Sequence, residues 1–387
     1  MSQDLVYLDY AATTPIDLRV VEAMQQCLTG VGAFANPASI HIAGRRAAAM
    51  VDSAREQLAD LLGAQPARLI WTSGATESDN LAIRGAATAR AHRGKHLITM
   101  PTEHKAVADT FRALAREGFE VTWLNPDDNG LLSTELLADA IRDETQLVSV
   151  MHVNNETGVI QDICAIGELC RSRGVLFHTD AAQSVGKLEV DLRNMPVDLL
   201  SLTAHKFYGP QGIGALYIAD RPQCSVFPIM FGGGQEQRLR PGTLPVHLVV
   251  GAGVAASLAG EEREVDLAHV VALRDRLWAG IAAIPGLTRN GLEADCYPGI
   301  LNVSVAGVEG ESLMLGMEPV CVASGSACNS TSGEPSYVLR SLGRSDVDAQ
   351  SAVRFSFGKL TTEDDIELAV ERYRRSVEHC RSMSPVT

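Results

Sequence analysis

From about residue 45 onward the chain switches between two hydrophobic periods. GRRAAAMVDSAREQLADLLG, residues 44–63, repeats its apolar positions every three or four residues and closes on a glycine, which predicts a helix. RLIWTSG is a short apolar run entering a turn and predicts a strand. A further helix is expected over ESDNLAIRGAATARAHRG, and then the alternation repeats. HLITM, FEVTWL, QLVSVMHV, VLFHTD, VDLLSLT and GIGALYIAD read as strands; STELLADAIRD and residues 162–173 read as helices between them. Such a βαβ series predicts an α/β fold whose large domain is a mostly parallel sheet with helices on both faces. After about residue 262 the pattern changes to a long charged helix, the strand GILNVSV, a loop, AVRFSFG and a last helix through EDDIELAVERYRRSVEHC. This predicts a smaller α+β domain packed on the first. The expected division is 16–261 for the large domain, with 1–15 and 262–387 for the small one.

In open parallel sheets ligands sit at the carboxyl ends of the strands, so the residues standing there are the candidates for chemistry. They are SGATESDN at 73–80, then Glu103 and His104, Asn154 and Asn155, Asp180 and Gln183, and Thr203, His205 and Lys206. Polar residues at single strand ends are ordinary capping groups, but here they converge on one edge. Gly74 and Ala75 leave backbone N–H groups accessible before a helix, which suits a phosphate, and Thr76 fits either a phosphate contact or a plain N-cap. Asp180 ends a buried strand, where an unpaired carboxylate is costly and a ring N–H would partner it. Lys206, between His205 and the pair Phe207 and Tyr208, fits a strand-end ammonium snorkelling to water or an amine nucleophile for a carbonyl cofactor.

Length and charge narrow this further. A chain of 387 residues is too long for one core of usual size, and a net charge of −14 argues against nucleic acid or an anionic membrane as the main partner. MSQDLVYLDYAATTP carries no basic and apolar leader, and LVVGAGVAASLAG at 248–260 is too short and glycine-rich to span a bilayer, so a cytoplasmic protein is expected. The eight cysteines lack CxxC or zinc-ligand spacing and read as thiols, with no metal expected. Cys328 lies in SGSACNSTSGE, a small polar stretch that reads as an exposed loop suited to a reactive thiol, whereas Cys321 reads as packed.

YLDYAATTP, TSGATESDNLAI, TEHKAV, MHVNNETGV, HTDAAQSVGK, AHKFYGPQGIGALY, GTLPVH and SGSACNSTSGEPSYVLRSLG, in that order, resemble a fold-type I pyridoxal phosphate enzyme, and within it a cysteine desulfurase of the NifS/IscS group. The resemblance implies a seven-stranded large-domain sheet and pyridoxal 5′-phosphate as cofactor. It implies Lys206 as Schiff-base lysine and proton shuttle, His104 stacked on the ring, and Asp180 on the ring nitrogen. Asn155 and Gln183 would bond around the phenolic oxygen, and Ala75, Thr76, Thr203 and His205 would hold the phosphate. Thr243 would reach the phosphate of a second subunit, implying a homodimer. Arg354, which on its own segment fits a surface ion pair, would bind the carboxylate of L-cysteine with Asn155, and Cys328, on a mobile loop at about 322–335, would take the sulfur as a persulfide. The product would be L-alanine, and a sulfur-acceptor protein, such as an iron-sulfur scaffold or a relay protein, would be the partner. An aminotransferase, or a lyase such as selenocysteine lyase, would share the cofactor residues.

Phe231 and Gln235 stand where housekeeping members of that group carry histidines, Pro241 where they carry serine, and Thr203 replaces serine while keeping the hydroxyl. Those members also continue beyond the Ser384-Pro385 pair, whereas this sequence stops at Thr387, which implies weak docking to a housekeeping scaffold.

Overall fold

The computed structural model describes residues 5–29, 33–292, 294–324 and 334–383. Cys328 and most of the 322–335 loop, with Ser384, Pro385 and Thr387, lie outside the described residues.

The predicted strands assemble into one seven-stranded sheet in the order Leu69–Thr72, Gly214–Ile218, Leu199–Thr203, Leu176–Asp180, Thr145–Ser149, His96–Thr99 and Glu120–Trp123. All neighbours run parallel except Gly214–Ile218, which is antiparallel to both of its partners. The central strands are buried along their whole length, because helices cover both faces; that is why they read as continuous apolar runs and not as alternating ones. The polar residues inside them pair across the sheet. Ser149 Oγ meets His178 Nδ1 at 2.8 Å, and His178 Nε2 meets Ser201 Oγ at 3.0 Å. Burial drives the His178 pKa down to about 3, so this row is a neutral hydrogen-bonded rung.

The first long helix, Ile42–Leu62, ends as its terminal glycine predicts, on Gly63 in the left-handed conformation with φ 61°. The long helix near residue 262 departs from expectation. It begins at Val246, just after Pro245, and runs unbroken to Ile281, absorbing the apolar 248–260 stretch. Nothing between Gly260 and Glu264 breaks a helix, so one rod joins two cores. Val249, Ala252 and Ala256 pack into the large-sheet core, while Val270, Leu273, Leu277 and Ile281 pack into a second core with Val6, Leu8 and Phe355.

That second core rests on an antiparallel sheet ordered Ala323–Ser324, Val353–Ser356, Ile300–Val305, Leu287–Asn290. The amino-terminal strand Val6–Tyr7 pairs with Val320–Cys321, and the chain leaving Leu8 runs past Ser356 of the small sheet, whose Oγ accepts from Ala11 N, toward the first sheet. The segment after residue 8 is thereby pressed against the carboxyl edge of the large sheet.

Candidate active site

A cavity of about 670 Å³ opens at that edge, and Ala75, Thr76, His104, Asn155, Asp180, Gln183, Thr203, His205, Lys206 and Arg354 all line it. Convergence of the strand ends is therefore observed: elements far apart in sequence end side by side because the strands between them run parallel.

At one part of the wall the strand Leu69–Thr72 turns through Ser73 and Gly74 into the helix Ala75–Ala89. Gly74 occupies the cap position with φ 154°, and no side chain caps this helix, which corrects the N-cap reading of Thr76; Thr76 lies within the first turn instead. The backbone demands glycine here, and Gly214 on the neighbouring strand is equally constrained, since a Cβ on it would stand 2.7 Å from the Gly74 Cα. First-turn N–H groups with no side-chain acceptor, and the positive end of the helix dipole, make an anion site. Thr203, ending the strand Leu199–Thr203, and His205, in the turn that follows it, face the same cavity. Burial, followed by the charges of Lys206 and Lys187, pushes His205 down to about 4, so its ring is a neutral donor or acceptor; its Nδ1 lies 3.1 Å from Thr13 Oγ1.

Asp180 ends its strand inside the cavity wall. Its Oδ1 accepts from the Ala182 N–H at 2.9 Å, and burial pushes its pKa up against the opposing pull of His104 and Lys206. A cationic N–H entering from the cavity would relieve that burial cost, which is what a protonated pyridine offers. His104 caps the helix Lys105–Arg116, accepting from Ala106 N through Nδ1 at 3.2 Å, which fixes the ring plane and leaves Nε2 as the protonated nitrogen. The donor set therefore fits pyridoxal phosphate: an uncapped helix for a phosphate, a buried carboxylate for a ring nitrogen, a fixed imidazole and a lysine.

Lys206 does not snorkel to water. It closes the short turn Ala204–Lys206, and its Nζ donates to the carbonyls of Ala11 and of Ala12, the latter at 2.7 Å. Gln183 joins the same knot, donating through Nε2 to Ala11 O at 2.8 Å. Of the two asparagines, Asn154 is structural: its Oδ1 accepts from the backbone of Glu156 and Thr157, while only Asn155 lines the cavity. Glu103 is turned inward, accepting from Met151 N at 2.8 Å, and is not part of the lining.

Arg354 is 1% exposed, so the surface-pair reading gives way. Its Nη1 donates to Asn155 O at 2.8 Å and its Nη2 pairs with Asp9 at 2.7 Å. Thr243 is exposed and does not line the cavity of its own chain.

Sequence reasoning passed over several contributors. The Ala11 and Ala12 carbonyls, Thr13 and Asp9 all lie in YLDYAATTP, where a polar cluster directly after a short apolar run was the available signal. Asp79 is fully buried on the helix behind Asp180, with His178 Nε2 3.6 Å from its Oδ1; burial, then the Asp180 charge, pushes its pKa well up. The ligand atoms of Asp79, His104 and Asp180 lie within 4.8 Å of one another, a grouping that cysteine spacing had no power to reveal.

A cavity equipped in this way marks a cofactor-dependent enzyme of the aminotransferase type. Residues 6–368 match the model of the aminotransferase class-V family, and the chain belongs to that family. It is 55% identical over 382 residues to the cysteine desulfurase IscS of Vibrio vulnificus (strain CMCP6), covering 98% of this chain and 95% of that protein. Among solved structures, a NifS-like protein superposes with a TM-score of 0.90 at 33% identity, covering 97% of this chain and 100% of that one. SspA in complex with cysteine superposes with a TM-score of 0.81 at 38% identity, covering 92% and 99%.

Proposed function

We infer that the protein is a pyridoxal 5′-phosphate-dependent cysteine desulfurase, converting L-cysteine to L-alanine and leaving the sulfur as a persulfide on Cys328. The observation that carries this reading is the meeting of Lys206, Asp180 and the uncapped helix at Gly74 in one cavity that Arg354 also enters.

The bound cofactor supplies an electron sink for the pair released at the substrate Cα. The protein's residues do the rest. The Ala75–Ala89 helix, with Thr76, Thr203 and His205, would hold the phosphate, and Asp180 would keep the ring nitrogen protonated. His104 would face the ring, and Asn155 and Gln183 would donate toward its oxygen. Lys206 would hold the cofactor through its amine and would carry the proton at the substrate Cα. Arg354 and Asn155 hold the substrate carboxylate. The Cys328 thiolate then attacks the substrate sulfur: an S–S bond forms, the C–S bond breaks, the electron pair passes to the carbon that becomes the alanine methyl, and a proton completes it. No external oxidant or reductant is needed, because the sulfur atom is transferred whole.

In this reading residues 16–261 form the large domain, and 1–15 with 262–387 the small one, supported by the separate core containing Val6, Leu8, Leu301 and Tyr373. The exposure of Thr243 and of Phe231 supports a homodimer in which Thr243 reaches the partner's phosphate site. The persulfide passes to an acceptor protein of iron-sulfur assembly or thiolation in the cytoplasm. Among the described residues no helix is long and apolar enough to cross a membrane.

Incubating the protein with L-cysteine, and measuring alanine together with the mass of the Cys328 peptide, tests the reading. Alanine with a persulfide on Cys328 is expected. Alanine with no persulfide on any cysteine would favour a lyase, and keto-acid formation an aminotransferase.

A further inference from the structure

HTDAAQSVGK ends on a second lysine, and the reaction described above gives it no task. Lys187 is part-buried beneath the cavity floor, one residue after Gly186, whose φ of 78° turns the chain so that the lysine points back under Gln183. Its Nζ donates to Gln183 Oε1 at 2.7 Å and lies 5.3 Å from the centre of the Tyr297 ring. On the other side of the same carboxamide, Gln183 Nε2 donates to Ala11 O at 2.8 Å, the carbonyl that also accepts from Lys206. A continuous chain of hydrogen bonds, Lys187 to Gln183 to Ala11 and back to Lys206, thus joins the two lysines.

We propose that Lys187 is a positioning residue of the cofactor site, which fixes the Gln183 carboxamide so that its N–H groups, not its oxygen, face the cavity.

The argument is one of polarity. A glutamine amide has an accepting end and a donating end of nearly equal shape, and packing alone does not choose between them. A ring oxygen that carries negative charge needs donors. Lys187 on one side offers only N–H to the oxygen, and the Ala11 carbonyl on the other offers only lone pairs to the nitrogen. Flipping the amide would set N–H against N–H and oxygen against oxygen, losing both bonds. Without Lys187, Ala11 O alone would hold the orientation, and Lys206 competes for that acceptor. The small polar cavity around Lys187 also holds Lys206, Arg263, Asp266, Tyr208, Tyr297 and Lys359, and the face of Tyr297 offsets part of the cost of an ammonium there. Burial, then the charges of Lys206 and Arg354, draws its pKa below the ordinary value; the orientation is imposed by the ammonium form, which offers donors and no acceptor.

This proposal rests on the cofactor reading above, and the test separates the two. The readout is the pH midpoint of the visible band of the lysine-bound cofactor in the resting holoenzyme. A donor to the ring oxygen favours the deprotonated form, so its loss raises the midpoint. Lys187→Met and Gln183→Met are each expected to raise it by roughly half a pH unit or more, the scale of one hydrogen bond. Because Lys187 acts through Gln183, the double variant should match Gln183→Met alone. Lys187→Arg, which keeps donors and no acceptor, should stay near the wild-type midpoint, and it provides an independent test should Lys187→Met not fold. A wild-type midpoint in Lys187→Met, additive shifts in the double variant, or a shift in Lys187→Arg as large as that in Lys187→Met would each overturn the proposal. A wild-type protein with no visible band would instead overturn the cofactor reading.

Discussion

Asp180 and Arg354 both line the large cavity, but they reach it from different sheets. Asp180 ends a strand buried in the large sheet, flanked by strands that deliver Asn155 and Thr203 to the same edge, and the Ser149–His178–Ser201 row stiffens the strands beneath it. Its position follows from one rigid element. Arg354 comes from the smaller antiparallel sheet and enters only because the amino-terminal segment bridges the two; its guanidinium is already engaged by Asp9. Asp180 accepts from a backbone N–H and feels the charges of His104 and Lys206, whereas Arg354, in the proposed reading, would give up Asp9 to a substrate carboxylate. In the proposed reading, cofactor binding and substrate binding would draw on different parts of the fold, and variants should separate them.

The sharpest break lies at Lys206, which stands where the two regions meet. Lys206→Ala should lose the visible band after dialysis and drop alanine formation to background, because both cofactor attachment and proton movement vanish together. A variant with an unchanged spectrum would remove Lys206 from the chemistry. On the substrate side, Arg354→Ala should leave the resting spectrum intact while kcat/KM for cysteine falls by about 10²-fold or more, the scale of a buried charge-assisted pair. A spectrum that changed with it would show that the two regions are not separable.

Asp9→Asn tests the competition directly. With the carboxylate gone, the substrate no longer has to displace it, and KM for cysteine should fall roughly fivefold, as expected for a part-exposed ion pair worth about 1 kcal/mol. An unchanged or higher KM would mean that Asp9 stays paired through the reaction.

The last prediction concerns stability, not turnover. Glu156 is buried beside Asn155 and accepts from the Ser336 hydroxyl, and burial raises its pKa to about 7. The folded protein then holds a proton that the unfolded chain releases above the ordinary glutamate range, so this group's contribution falls as pH rises from about 4.5 to about 7. Glu156→Gln should flatten that decline by on the order of 1–3 kcal/mol, read as the difference between denaturation midpoints at pH 5 and pH 8. Parallel pH profiles for the two proteins would reject the assignment.

The βαβ alternation, the helix ending at Gly63, the glycine turn at Gly74 and the row of polar strand ends were legible in the chain itself. Each depends on local periodicity or on the backbone freedom of one residue, and a parallel sheet carries strand ends to one edge whatever the loops do. The motifs also picked out Lys206, Asp180 and Arg354, which the structure places around one cavity. Other features came only from the tertiary structure, because they depend on segments brought together from far apart in the chain. Asp9 and the Ala11 and Ala12 carbonyls lie about 200 to 345 residues from the side chains they bind. The helix Val246–Ile281 was misjudged at its start because it changes environment midway, apolar where it faces one core and charged where it leaves it. Asp79 and Lys187 gave no warning at all: a carboxylate or an amine on an amphipathic stretch looks solvated until the fold closes over it, and burial, a property of the whole packed molecule, then decides its charge and its role.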